Sequence, residues 1–148
     1  MRSRLRGRLA AAVVAIVLGS VLALFATTGP AVAFFSGGLF LDVQVNSPAH
    51  LVARGAAVDV PLEVTCNATG SVDVFVSVSQ KAGSGVAQGF GSARVGCTGS
   101  GQNVVVRVQA SGGKTFKQGS AVASAEIFGC NNVTCGSETD SEVIQIQR

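Results

Sequence analysis

The stretch from Val58 to Val78, VDVPLEVTCNATGSVDVFVSV, constrains this chain more than any other. Val58, Val60, Leu62, Val64 and Cys66 fall on one side at a period of two, and Asp59, Pro61, Glu63 and Thr65 fall on the other. That alternation is what a half-buried strand requires, because successive side chains of an extended backbone point to opposite faces. Asn67-Ala68-Thr69-Gly70 supplies turn residues, after which Val72, Val74, Val76 and Val78 resume the pattern. The stretch reads as two strands joined by a turn with a cysteine at the corner.

The first 33 residues read differently. Arg2, Arg4, Arg6 and Arg8 stand there without an acid, an apolar run follows from Leu9 to Ala26, and Thr27-Thr28-Gly29-Pro30 breaks the helix before Ala31-Val32-Ala33. A charged segment, an apolar segment and a small-x-small site in that order make a secretory signal peptide, helical and cleaved after Ala33. The chain then divides into residues 1–33, the signal, and residues 34–148, an exported domain with no membrane partner after cleavage. The alternative is an uncleaved membrane anchor, because an apolar run of about 18 residues reaches the lower limit for spanning a bilayer.

Cleavage changes the electrostatics. The whole chain carries 11 basic and 8 acidic residues, a net charge of +3. The four arginines leave with the signal, so seven basic residues face eight acidic ones and the remainder is close to neutral. No Lys/Arg run or interleaving of basic and aromatic residues survives, and a nucleic-acid partner is not expected. With no Trp or Tyr and a body rich in Val, Gly, Ser and Ala, the composition favours strands and turns.

Strands can be placed at Leu39–Val45, Ala57–Cys66, Ser71–Ser79, Val86–Cys97, Gln102–Ala110, Ser120–Gly129 and Ser141–Gln147. Phe34 to Gly38 is a lead-in, Pro48 ends the first strand, and Ala49 to Ala56 is a connection. Gly89, Gly91 and Gly96 invite a bulge or bend in the fourth strand. Seven short strands separated by turn signals predict an all-β fold, a seven-stranded immunoglobulin-like Greek-key β-sandwich.

Cys66, Cys97, Cys130 and Cys135 form an even set, so disulfides are expected in an exported chain. In the predicted topology the second and fifth strands lie side by side, which brings the end of one, Cys66, to the start of the other, beside Cys97. Cys130 and Cys135 flank the last hairpin turn. The chain-entropy account gives the larger loop about 3.5 kcal/mol and the smaller about 2 kcal/mol. The cysteine spacings do not suit zinc, and the only histidine, His50, is distant in sequence.

The C-terminal third, with Cys-Asn-Asn-Val-Thr-Cys at 130–135, a polar Gly-Ser-Glu-Thr-Asp loop and a final strand Val143–Gln147, resembles the neocarzinostatin family of chromoprotein apoproteins. That resemblance implies a secreted seven-stranded immunoglobulin-like sandwich whose second disulfide closes a small ring. It also implies a cleft on one sheet that carries an enediyne chromophore. It covers about 20 residues, and the family's first disulfide closes a short loop, whereas Cys66 and Cys97 stand 31 positions apart. The whole exported part is similar to a broad group of small secreted actinobacterial proteins with two disulfides and an immunoglobulin-like fold, a likeness that implies no activity.

Catalytic chemistry finds little support. A Ser-His-Asp site would have to use His50, and there is no G-x-S-x-G. Asp59 and Glu63 share a solvent face, where acids are solubilising. Glu138, Asp140 and Glu142 lack the spacing of a calcium loop, and Gly83 to Gly91 is followed by no helix that could hold a phosphate. Asn67 and Asn132 stand in N-x-T sequons that read as turns. No catalytic residue, metal or cofactor is expected.

The sequence therefore predicts a non-enzymatic extracellular or envelope-associated binding module for a protein, a glycan or a small apolar ligand. The alternatives are an inhibitor of a secreted enzyme, acting through the Cys130–Cys135 ring, and a small-molecule carrier. If the valines of the third strand face inward, Phe75 faces outward, and Phe128 and Phe90 join it as a candidate binding patch. The competing expectation is that these phenylalanines are covered by a loop, or that the sixth strand is inverted with Val122 and Phe128 in the core.

Overall fold

The computed structural model describes residues 38–148; the expected signal peptide, residues 1–33, and Phe34 to Gly37 lie outside the described residues. Among the described residues eight strands occur: β1 (Leu41–Val45), β2 (Ala49–Val52), β3 (Ala57–Cys66), β4 (Ser71–Ala82), β5 (Gly85–Gly96), β6 (Gln102–Ser111), β7 (Gly119–Cys130) and β8 (Cys135–Gln147). Among the described residues there is no helix long and apolar enough to cross a membrane.

The alternation found in the sequence is the alternation of burial. Val58, Val60, Leu62, Val64 and Cys66 are fully buried, as are Val72, Val74, Val76 and Val78 on β4 and Ala123, Ala125 and Ile127 on β7. These rows face one interior. Because most of them are Val or Ala, strands approach closely and the core depends on many small contacts; the one fully buried aromatic among the described residues is Phe116, in the loop between β6 and β7.

The sheet does not remain two separate layers, which corrects the sandwich expectation. Seven strands pair in a ring, β3-β2-β8-β7-β4-β5-β6 and back to β3, and β1 lies along the C-terminal half of β3. β5 makes closure possible on one side: it pairs with β4 along its whole length, and its residues Gln88 to Phe90 also pair with Ser111 to Gln109 of β6. Gly89 and Gly91 do not bulge. They let the two backbones pass, because a Cβ at either position would run into a carbonyl oxygen of β6, that of Gln109 or of Arg107.

On the other side the ring closes through β2, which was expected as part of a connection. Ala49 and His50 pair in parallel with Ile146 and Gln147, while His50 to Val52 pair with Asp59 to Ala57. Val45 N–H donates to Asp140 Oδ2 at 2.7 Å and Gln145 N–H donates to Ser47 Oγ at 3.1 Å, so side chains join the first strands to β8 where the backbone ladder is short. Pro61 fits a strand paired on both sides because its carbonyl, and hence its ring nitrogen, faces the break between β1 and β2. There it accepts from Asn46 N–H at 2.9 Å, and its missing donor interrupts no ladder.

The polar segment from Gly136 to Asp140, expected as a loop, belongs to β8 and pairs residue by residue with β7 from Cys130↔Cys135 onward. It has no apolar alternation because it is exposed on most of its surface. Backbone pairing and the closing disulfide hold it extended.

Candidate functional site

Both disulfides lie at one end of the barrel. Cys66 at the end of β3 is bonded to Cys97 just after β5, with Cα atoms 5.2 Å apart, and Cys130 is bonded to Cys135 across the β7–β8 turn, with Cα atoms 4.0 Å apart. These are the pairs the strand order predicts. Inside the smaller ring Asn131 Oδ1 accepts from the N–H groups of Val133 (2.9 Å) and Thr134 (2.8 Å), so the turn is fixed internally while Val133 projects at its tip, 88% exposed.

The candidate patch lies on the outer face of β5-β4-β7-β8. Phe75 is 50% exposed, Phe90 67% and Phe128 45%. Neither a covering loop nor an inverted β7 hides them. In the pairing register Phe75 stands opposite Ser92 and Glu126, Phe90 opposite Ser77, and Phe128 opposite Asp73. The three rings therefore form one diagonal across three strands with Phe75 at its centre, each step about 7–8 Å.

The ground between the rings is polar, with hydroxyl groups and the carboxylate of Glu126. Ser77, Ser124 and Ser141 form one cross-strand row, in which Ser141 Oγ hydrogen-bonds Ser124 Oγ at 2.9 Å. A shallow groove of about 280 Å³ runs between Phe75 and Phe90, with Ser77, Ser124, Glu126 and Thr139 on its walls. One row away, Arg94 forks onto Asp73 (2.9 and 3.3 Å), and this partner raises the pKa of its guanidinium. The nearest basic charge on that face is thus neutralised.

A second concavity of about 660 Å³ opens at the opposite end of the barrel, lined by Arg54, Thr115, Phe116, Lys117, Gln118 and Arg148 among others. Its walls are built by backbone constraints. Ala53, Arg54 and Gly55 all adopt positive φ (49°, 56° and 92°), a left-handed turn that costs roughly 1–2 kcal/mol for each residue bearing a side chain. The turn is held by Ala56 N–H donating to Ala53 O (3.1 Å) and by Phe116 N–H donating to Gly55 O (2.9 Å). Glycine is required at position 55, since a Cβ there would strike the carbonyl oxygen of Phe116. The sequence reading missed this site. Its signal was a lone phenylalanine flanked by two lysines in a Gly-rich turn, Gly113-Lys114-Thr115-Phe116-Lys117.

The residues weighed for catalysis are not assembled for it. His50 pairs with Asp59 across β2 and β3, but both Asp59 oxygens accept from Arg107 (2.7 and 2.8 Å), and that hydrogen bonding holds the carboxylate below its usual pKa. Among the described residues no group of three His, Cys, Asp or Glu side chains could hold a metal ion. Asp140 is engaged by the Val45 backbone, and Glu138 and Glu142 are exposed along the same strand.

No family model matches the chain, and no curated protein matches it. Among solved structures the chain is similar to AggA, the major subunit of aggregative adherence fimbriae type I from Escherichia coli, at 12% identity and a TM-score of 0.38, covering 76% of this chain and 96% of that one.

Proposed function

We propose that this chain is a secreted, non-enzymatic binding module, which takes a glycan on the β5-β4-β7-β8 face. The observation that carries the reading is the exposed diagonal of Phe90, Phe75 and Phe128 around a row of serines. Contiguous exposed apolar surface on a small domain marks a place of contact. A sugar ring is amphipathic in the same way as this face: its C–H surfaces pack on aromatic rings, and its hydroxyls exchange hydrogen bonds with Ser77, Ser124, Thr139 and Glu126. Two disulfides support an oxidising, extracellular setting.

Titration of the purified protein against a panel of neutral oligosaccharides tests this, with Phe75→Ser and Phe128→Ser beside the unaltered chain. Binding by the unaltered chain that both folded variants lose is the expected result. Binding that survives both substitutions, or no binding across the panel, would overturn it.

A second reading rests on the ring at Cys130–Cys135. A turn closed by a disulfide, capped by Asn131 and exposing Val133 is preorganised, and preorganisation is what an inhibitory loop needs. Inhibition of a secreted protease that Val133→Asp abolishes would favour it. A chromophore carrier is less well supported, because the groove on the sheet, about 280 Å³, is smaller than a typical ligand pocket of about 300–1,000 Å³.

A further inference from the structure

The seven basic residues among the described ones divide into two groups. Arg94 and Arg107 are committed to Asp73 and Asp59 on the strands. The other five, Arg54, Lys81, Lys114, Lys117 and Arg148, all lie at the end of the barrel remote from the disulfides: in the turn before β3, at the β4–β5 hairpin, in the β6–β7 loop and after β8. The turns at that end contain no Asp or Glu, and the carboxylates without an ion-pair partner among the described residues, Asp42, Glu63, Glu126, Glu138, Asp140 and Glu142, are distributed over β1, β3, β7 and β8. A chain that is almost neutral in sum is therefore strongly positive at one end.

Three of the five cations, Arg54, Lys117 and Arg148, line the same concavity of about 660 Å³, with Thr115 and Gln118 as further hydrogen-bonding groups and Phe116 at its base. Their convergence is constructed rather than incidental. Phe116 N–H to Gly55 O fastens the turn carrying Arg54 to the loop carrying Lys117, and the buried Gln80 amide fastens that loop to β4. Holding like charges around one hollow raises the potential within it, and only an anion relieves the repulsion.

We propose that this hollow binds a small ligand through a phosphate group. A carboxylate is satisfied by one arginine fork, whereas a phosphate has more oxygens and charge to share and uses several cations at once. The remaining volume, within the range of small-molecule sites, accommodates an organic body. The site is separate from the aromatic face and independent of its ligand.

The test is a heteronuclear NMR titration of the purified protein with glucose 6-phosphate, with glucose as the uncharged control and vesicles of phosphatidylglycerol as a membrane source of phosphate. Glucose 6-phosphate should shift the amide signals of Arg54, Thr115 and Lys117, glucose should not, and the affinity should fall as salt is raised. Arg54→Gln and Lys117→Gln should each weaken binding about tenfold, the loss of one charged hydrogen bond, whereas Lys81→Gln, outside the hollow, should not. Equal response to glucose and its phosphate, equal weakening by all three variants, or binding to vesicles without binding to the free sugar phosphate would each overturn the proposal.

Discussion

Gln80 and Lys117 are joined by a closed pair of hydrogen bonds, the Gln80 amide nitrogen donating to Lys117 O and Lys117 N–H donating to Gln80 Oε1, both at 2.7 Å. Gln80 is the buried polar side chain among the described residues, on a strand whose other inward positions are apolar. Its amide substitutes for a ladder in the β6–β7 loop and holds Phe116 in the core. Gln80→Leu should therefore destabilise the protein by about 2 kcal/mol, because it leaves a backbone donor and acceptor without partners. The check is a lower urea midpoint with an unchanged slope.

The two disulfides should contribute unequally. Cys66 and Cys97 are 31 positions apart and Cys130 and Cys135 only 5, so the first constrains the unfolded chain more. Loop entropy alone gives about 3.5 against about 2 kcal/mol. Paired Cys→Ala substitutions, unfolded in guanidinium under identical conditions, should preserve that order. A greater loss from removal of the small ring would mean that Cys130–Cys135 holds β8 in place rather than merely closing a turn.

Acid should weaken the protein partly through Asp59. Its carboxylate receives two hydrogen bonds from Arg107, which lower its pKa in the folded chain, while the unfolded chain titrates near the ordinary value of about 3.9. A depressed folded pKa means that the contribution is complete above the unfolded value and disappears as pH falls through the folded one. The partner is well exposed, so the gain is modest and declines with salt. In urea titrations from pH 6 to pH 2, Asp59→Asn should be the less stable protein at pH 6, and the difference should shrink below about pH 4. A difference that stayed constant would assign the effect to packing.

Where side-chain alternation and turn chemistry carry the information, the fold was legible. The inward rows of β3, β4 and β7 and the bonded cysteine pairs follow from a period of two and from strand order. The outward positions of Phe75 and Phe128 followed from the same period, since their neighbours in sequence are the buried valines and alanines. Closure into a ring was not legible. It depends on a two-residue parallel pairing of Ala49 and His50 with β8, and on backbone proximity at Gly89 and Gly91, neither of which leaves a periodic signature. The extended state of Gly136 to Asp140 was hidden because an exposed strand need not alternate. The basic hollow was hidden because its cations come from three separate segments that only the fold unites.

The glycines of β5 give the sharpest test of closure. Gly89, Gly91 and Gly96 look equivalent in sequence, and propensity alone assigns each the same small effect. In the structure they differ: a Cβ at Gly89 or Gly91 meets the β6 backbone, whereas at Gly96 it meets nothing within 4 Å. Backbone cannot move aside as a side-chain tip can, so Gly89→Ala and Gly91→Ala should force β5 away from β6 at a cost of about 1–3 kcal/mol, the range for overpacking. Gly96→Ala, with no positive φ to strain it, should be neutral or slightly stabilising through its effect on the unfolded chain. Hydrogen exchange provides the local readout: in Gly89→Ala the amides that pair Gln88 to Phe90 with β6 should lose protection, while those between β4 and β7 keep theirs. Equal behaviour of all three variants would mean that the barrel is not held shut at this seam.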